Sequence, residues 1–383
     1  MAHRFRVPLV APLAASTLVL AALLTAACST GGDTVPTAAG VAAADGPTPA
    51  AALPSAPAAA AVSLKETGST LLFPLFNLWA PGYRQQYRQV SISTAGTGSG
   101  KGISGAAAGT ADIGASDAYL SSGQQTQSPE LENIPLAVSA QQISVNLPGI
   151  SSLKLNGTVL AGIYDGSITS WDDEAIAKIN PGVPLPSTKI VPIRRSDSSG
   201  DTFLFTSYLS AQDPAWKSAF AFGTTVAWPQ LDREVSAKGN SGMVAACAAH
   251  EGCVAYIGIS YEAKTSAAGL GQAELLNGAG NYEAPTADTI SAGANGFTSE
   301  TPPGGTISMI NGSAAGSYPI VNYEYGIVST RQASAAKAQT LKAFLHWAIT
   351  TGNSPSYLSK VSFQPLPAEI QSISAGLIGN IGS

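Results

Sequence analysis

From residue 64 onward, apolar positions repeat with periods of two and of about 3.6, and the two periods alternate along the chain. Leu64–Gly68 reads as a short strand closing on glycine, after which Phe73–Tyr87 spaces Leu75, Phe76, Trp79 and Tyr83 as one helical face. Val90–Ala95 alternates as a strand. The glycine-rich Gly96–Gly105 follows, and Ile103–Gly109 continues as a helix of small residues. Asp112–Asp117 predicts a short strand running into a loop, and Ile134–Leu147 an apolar strand region. A second set opens at Lys189: strand Ile190–Ile193, polar loop Arg194–Gly200, then an amphipathic helix Asp201–Leu209 carrying Phe203, Leu204, Phe205 and Tyr208. Tyr318–Val328 predicts another strand, and Ala338–Ile349 a helix with Leu341, Phe344, Leu345 and Ala348 inward. Strand, glycine loop and helix recur in that order, which predicts α/β architecture with parallel pairing.

The segment before residue 63 has neither period. Arg4 and Arg6 precede an apolar run from Leu9 to Ala27 that stops at Cys28. This is the pattern of a secretory signal over residues 1–27. Leu24-Thr25-Ala26-Ala27-Cys28 resembles a lipobox, which makes Cys28 the expected lipidation site and new N-terminus. Residues 28–62 are Ala, Pro, Gly, Thr and Ser with few large apolar side chains, the composition of a disordered tether. The remainder, 63–383, is long enough for two domains.

Charge narrows the functional classes. The chain has 19 Lys and Arg against 24 Asp and Glu. Cleavage after Ala27 removes Arg4 and Arg6 and no acid, leaving 19 − 2 = 17 basic residues and a net charge of −7. A nucleic-acid binder carries the opposite sign. An anion would have to be held by locally aimed donors. Of the three cysteines, Cys247 and Cys253 enclose Ala-Ala-His-Glu-Gly. Two thiolates and His250 at this spacing match no established zinc pattern, whereas an exported chain favours a small disulfide loop.

Three loops share a design: Gly68-Ser69-Thr70-Leu71, Gly96-Thr97-Gly98-Ser99-Gly100 and Ser198-Ser199-Gly200-Asp201-Thr202. Each lies between a strand and a helix and combines glycine with hydroxyl residues. Glycine lets backbone N–H groups approach a ligand, a helix start leaves such groups unpaired, and Ser or Thr adds a donor. Any one alone would pass for ordinary helix capping. Arg195 stands ahead of the third loop with Asp197 two residues on, so a guanidinium can meet an anion while a carboxylate fixes its fork. Asp117 adds an acceptor, which suits a ligand that carries a proton.

Four stretches give a family resemblance: Glu66–Trp79, Gly96–Gly100, Ile113–Asp117 and Arg195–Phe203. They resemble the binding-protein subunit of the phosphate-specific ABC transporter in its actinobacterial lipoprotein form. Gly166–Asp173, Asn322–Tyr325 and Phe363–Pro367 match as well, so the likeness covers nearly all of the chain after the tether. It implies a two-domain periplasmic-binding-protein-like clamp with two interdomain crossings, one domain being 63–141 with 318–383 and the other 142–317. The ligand would lie in the cleft between them. It further implies that Ser69, Thr70, Leu71 (backbone), Ser99, Asp117, Arg195, Ser199, Gly200 and Asp201 contact phosphate; Asp201 stands where many relatives have Thr. Permease subunits are the implied partners, together with the membrane through the lipid, and no cofactor, metal or nucleic acid is implied.

Other motifs read more plainly. Trp171, Asp172 and Asp173 suit a staple and N-cap for a helix through Ile176 and Ile179. Tyr323 and Tyr325 suit hinge or core, and His346 a packed or surface position. Gly100-Lys101-Gly102 lacks the first glycine and the hydroxyl of a Walker A loop, and Gly100, Gly102 and Gly105 make only a bare GxGxxG. No Gly-x-Ser-x-Gly elbow occurs. The alternative class is a secreted phosphohydrolase using the same cradle, but it would have only His250 and His346 to draw on.

Overall fold

The computed structural model describes residues 52–150 and 153–383. The signal segment and Cys28 lie outside the described residues. Residues 55–58, within the expected tether, run against the fold: the Tyr87 hydroxyl donates to the Ser55 carbonyl at 2.8 Å, and the Ala58 N–H donates to Thr340 Oγ1 at 3.3 Å.

Strand β1 (Val62–Gly68) is followed by α1 (Phe73–Gln86), β2 (Val90–Ser93), α2 (Ser99–Ala107), β3 (Ile113–Ser116) and the 15-residue β4 (Leu131–Val145). Next come β5 (Val191–Arg195), α3 (Gly200–Gln212), β6 (Val235–Ala237), α4 (Gly239–Ala249), β7 (Cys253–Gly258), β8 (Val321–Ser329) and α5 (Ala335–Ile349). The eight strands line up as β2-β1-β3-β8-β4-β7-β5-β6, with the short Gly271–Gln272 strand beside β4. The helical face of α1 is the expected one, with Leu75, Phe76, Trp79 and Tyr83 all buried.

The expected parallel pairing holds only toward the two edges. β1 pairs parallel with β2 and β3, and β5 parallel with β6 and β7. In the middle, β3–β8, β8–β4 and β4–β7 are antiparallel. The difference is one of connection: crossover helices α1 and α2 return the chain in the same sense, whereas β4 and β8 come from distant segments with no such constraint. Two boundaries also differ from the sequence reading. Arg194 and Arg195 end β5 instead of opening a loop, and α2 begins at Ser99, inside the glycine stretch.

β4 changes partner along its length. Leu131–Ala140 pairs with β8, and Gln141–Val145 with β7. Because side chains alternate across a strand, Ser139 and Gln141 share one face of β4, and Asn322 and Glu324 share a face of β8, with Asn322 paired opposite Ser139. All four are buried. The register slips between Glu324 and Tyr325, opposite Pro135, which has no N–H to give the ladder.

Cys247 at the end of α4 and Cys253 at the start of β7 form the expected disulfide, with Cα atoms 5.3 Å apart. The His250 Nδ1 lies 2.7 Å from the Ala246 carbonyl. Asp173 caps its helix by accepting from the Ala175 N–H at 2.9 Å, while Trp171 is fully buried and donates to the Gly252 carbonyl. Tyr323 and Tyr325 are buried in β8. No helix among the described residues is long and apolar enough to cross a membrane.

One core strand carries an acid inward. Glu66 on β1 is 1% exposed; Oε2 accepts from the Ala95 N–H at 3.2 Å and Oε1 has no partner among the described residues. Burial pushes its carboxyl up to about 8, with the Ala95 contact pulling the other way. The folded chain thus keeps a proton that the unfolded chain releases near pH 4.5, so the Glu66 contribution to stability falls as pH rises from about 4.5 to about 8 and is flat above. Glu66→Gln should remove that part of the slope, at most roughly 5 kcal/mol across the window. Urea unfolding of both proteins at pH 5 and pH 8.5 measures it, and equal losses of stability would show that Glu66 does not titrate in this range.

Candidate functional site

The four polar residues on the central face of β4 and β8 form the floor around which the glycine loops gather. Gly68 must be glycine: its φ is +145°, and a Cβ would run into the Ala115 backbone. That close approach sets the β1 loop directly on the end of β3. Ser69 follows, and its Oγ accepts from the N–H groups of Leu71 and Leu72, both at 3.0 Å, while donating to Asp117 Oδ1. Ser99, the first residue of α2, donates through Oγ to Asp117 Oδ2 at 3.4 Å and accepts from the Asp117 N–H at 3.2 Å. Asp117 is thereby held by two hydroxyls from two different loops.

The third loop closes against the first two. Gly200 packs so tightly on Asp117 and Ser99 that a Cβ there would lie 2.6 Å from both Asp117 Cβ and Ser99 Oγ. The Gly100 N–H donates to the Ser198 carbonyl at 3.2 Å. Ser199, fully buried, is the N-cap of α3, its Oγ accepting from the Thr202 N–H at 3.4 Å.

Arg195 ends β5 beneath this loop. Nε donates to Asp197 Oδ1 at 2.8 Å and Nη2 to Asp197 Oδ2 at 2.5 Å, the bidentate fork anticipated from the sequence. Nη1 donates to Asp201 Oδ2 at 2.5 Å. The Arg195 N–H donates to the Tyr256 hydroxyl, which also meets Thr202 Oγ1. Burial alone would lower the guanidinium's pKa, but the hydrogen bonds and charges of Asp197 and Asp201 outweigh it, so the group stays cationic. Burial likewise pushes Asp197 up, and Arg195 reverses that and holds it below the usual range. A cavity of about 320 Å³ lined by Arg195, Asp197, Ser198 and Thr202 opens beside these ion pairs.

Asp201 plays a different part from the one its loop suggests. Its carboxylate is occupied by Arg195, by Asn240 Nδ2 at 2.8 Å and by Gln141 Nε2 at 3.3 Å. It braces the guanidinium and cannot itself donate to an anion. Thr70 joins this network, with Oγ1 accepting from the Asn240 N–H at 3.2 Å and Nδ2 at 3.1 Å. All nine residues singled out from the sequence therefore fall in one continuous cluster.

The sequence reading missed Gln141, Asn240, Ser139, Asn322 and Glu324. Asn240 was findable. Lys238-Gly239-Asn240-Ser241-Gly242 is a fourth glycine and hydroxyl junction between a strand and a helix, with Gly239 at φ +64°. Asn322 and Glu324 lie in the Asn322–Tyr325 stretch of the family resemblance, which gave them no role, and Ser139 and Gln141 carry no local signal; the four meet only through the pairing of β4 with β8. Ser139 Oγ lies 2.8 Å from Asn322 Oδ1 and 2.5 Å from Glu324 Oε1. These neighbours also change the reading of Asp117 as a plain ionised acceptor. Burial pushes its carboxyl well above the usual range, the charges of Glu324 and Asp201 add to that, and the Ser69 hydroxyl pulls it back.

Residues 54–351 match the model of the PBP superfamily domain. The chain is 33% identical to the phosphate-binding protein PstS of Methanocaldococcus jannaschii, over 84% of this chain and 86% of that one. It is 30% identical to the phosphate-binding protein PstS of Xylella fastidiosa, over 83% and 85% of the two chains. Among solved structures it is similar to a phosphate-binding protein from Stenotrophomonas maltophilia, with a TM-score of 0.65, 20% identity and coverage of 82% and 94%. That likeness shows the α/β binding-protein fold.

Gly200→Ala isolates the steric requirement at the loop contact. Alanine is the better helix former by up to ~1 kcal/mol, so propensity alone predicts a gain at this first-turn position. The Cβ must instead displace Asp117 or Ser99, and overpacking of that kind costs about 1–3 kcal/mol. A net loss of stability in denaturant unfolding is the expected result. A variant as stable as the parent would mean that the loops part without cost.

Proposed function

This chain belongs to the PstS family of phosphate-binding proteins within the PBP superfamily, and from that premise we infer how it captures its ligand. It binds phosphate outside the cytoplasm for import by an ABC transporter and converts nothing. His250 follows α4 and His346 lies within α5, away from the cluster, so no imidazole stands beside the site's hydroxyls to activate one.

We propose that Ser69, Thr70, Leu71 through its N–H, Ser99, Asp117, Arg195, Ser199 and Gly200 hold the phosphate, and that Asp201 serves through its helix-terminal backbone and its hold on Arg195. The observation that carries this is the convergence of three strand-to-helix loops on one buried cation and one buried acid. Arg195 has five N–H donors, three of which go to Asp197 and Asp201, which leaves two for a ligand. Two lobes, 63–141 with 318–383 and 142–317, would close on the anion by a hinge where β4 passes from β8 to β7. Support comes from the bonds that join those two sets of residues through the site, such as Asn240 to Thr70 and the Ser260 hydroxyl to the Leu71 carbonyl at 2.7 Å. The closed form is the state a membrane permease would recognise.

Selectivity rests on Asp117. Phosphate near neutral pH keeps at least one proton, which a carboxylate accepts; sulfate has none to give. Two like charges ~4 Å apart at an effective dielectric of 20 repel by roughly 4 kcal/mol. Asp117→Asn should therefore gain sulfate binding while losing less phosphate affinity than Arg195→Ala, which should lose at least about thirtyfold, or ~2 kcal/mol. Competition titrations on the three proteins decide the matter. An unchanged phosphate-to-sulfate ratio in Asp117→Asn would reduce Asp117 to a loop brace.

We further propose that Cys28 carries diacylglycerol and anchors the chain on the extracytoplasmic face of the cell membrane, as in the actinobacterial lipoprotein form that the sequence motifs resemble. Support comes from the Leu24–Cys28 lipobox and the Ala/Pro-rich stretch behind it. Mass spectrometry of the membrane fraction should find a lipidated Cys28 as the first residue, and Cys28→Ala should leave the membrane or stay unprocessed. An unmodified Cys28 would refute the anchor.

A further inference from the structure

A chain of aromatic rings leads from the core to the surface beside the phosphate loops. Tyr325, buried in β8, lies 6.2 Å from Tyr119, centroid to centroid, in a T-shaped pair. Tyr119 meets Phe203 of α3 edge to face at 5.4 Å and 82°, and Phe203 meets Phe222 at 5.6 Å and 69°. Tyr119 and Phe203 are half-buried, and Phe222 is the one exposed large apolar side chain among the described residues, at 50%. Tyr119 stands two positions beyond Asp117, and Phe203 three beyond Gly200. Tyr119 belongs to the proposed lobe 63–141 with 318–383, and Phe203 and Phe222 to 142–317, so the contact between Tyr119 and Phe203 crosses the lobe boundary.

The loop that carries Phe222 is held in place by strain and by hydrogen bonds. Ala221 has φ +53°, a left-handed conformation that a residue with a Cβ adopts only where its surroundings impose it. Its carbonyl accepts from Ser210 Oγ and Trp216 Nε1, both at 3.1 Å. The Gly223 N–H donates to Thr206 Oγ1 at 3.3 Å, and the Thr224 carbonyl accepts from the Ser199 N–H at 2.8 Å. The strained turn is thus pinned both to α3 and to the phosphate loop. A half-exposed phenyl ring on such a turn adds little to the core, which marks the arrangement as one kept for function.

We propose that Tyr119, Phe203 and Phe222 form an aromatic clasp at the rim of the site that holds the lobes closed and slows the release of phosphate, with Phe222 backing Phe203. This rests on the hinged capture described above and adds an apolar element to it. The cross-lobe contacts named there, Asn240 to Thr70 and Ser260 to Leu71, are hydrogen bonds, which water replaces on opening at small net cost. Ring contacts have no such substitute, since opening returns their faces to water. Phosphate enters while the lobes are apart and leaves when they part again. A contact made only on closure therefore acts on the release rate and leaves capture unchanged.

Release of radiolabelled phosphate from the full chain, chased with unlabelled phosphate, tests the clasp in the parent, Tyr119→Ala, Tyr119→Phe, Phe203→Ala and Phe222→Ala. Double variants that combine Tyr119→Ala with each Phe→Ala change complete the set. Tyr119→Ala and Phe203→Ala should each speed release about three- to tenfold, the range of one edge-to-face pair, and Phe222→Ala by less. Capture should stay within about twofold of the parent. Tyr119→Phe, which keeps the ring, should release like the parent. Once Tyr119 is gone the other rings have nothing across the boundary to hold, so neither Phe203→Ala nor Phe222→Ala should speed release further. Parent-like release in Tyr119→Ala overturns the proposal, and so do effects that add in the double variants. Should Tyr119→Ala fail to fold, Tyr119→Leu, which also lacks the ring, takes its place. X-ray scattering of the parent with and without phosphate separates the clasp from the hinge: compaction on binding together with parent-like release in Tyr119→Ala removes the clasp alone, and no compaction removes both.

Discussion

The ion pair between Arg195 and Asp201 is the interaction on which the rest of the site depends. Both side chains are about 1% exposed, and neither charge could be buried there alone. Losing Arg195 would leave Asp201 a buried carboxylate with no cation, and breaking a buried pair in this way costs about 3–5 kcal/mol. The pair therefore requires its surroundings. Asp201 fixes the start of α3, Asn240 brings in the start of α4, and through Thr70 the same network reaches the loop after β1. A cation held by two acids would seem too well satisfied to bind anything. The fork geometry resolves this, since Asp197 takes one edge of the guanidinium and Asp201 a single corner. The acids orient the cation and leave donors over.

The loops can converge on that cation only because they lack side chains where they touch. Gly68 lies on the end of β3, and Gly200 lies on Asp117 and Ser99. Glycine at these places trades backbone entropy for closeness. What results is a site whose acceptors and donors are set by backbone and short hydroxyl side chains, with little freedom to adapt to a larger ligand. That rigidity suits discrimination between two tetrahedral anions of nearly equal size, where the difference to be read is one proton.

Much of this could be read before the structure was known, and the parts that could not share a cause. The helical face of α1, the disulfide and the Asp173 cap each depend on residues close in sequence, and each was legible. So were the three loops, because a glycine next to a hydroxyl at the end of a strand is a local pattern. The fork between Arg195 and Asp197 spans two positions. Glu324 meets Ser139 from 185 positions away, and no local pattern announces that contact. The antiparallel centre of the sheet was missed for the same reason: adjacent segments reveal their crossovers, while β4 and β8 find each other only in the finished fold.

That last pairing also bears on how the chain comes to be folded. Leu131–Ala140 finds its partner about 180 to 200 positions later, at Val321–Ser329. The strands ahead of it, β1 to β3, join the sheet through β8, so this edge is incomplete until the final quarter of the polypeptide has emerged. Such high contact order makes folding slow relative to synthesis. For a cytosolic enzyme this would be a liability during translation. For a chain that works outside the cytoplasm, slow closure of the sheet leaves time for export before folding is complete, and oxidation of Cys247 and Cys253 can follow there.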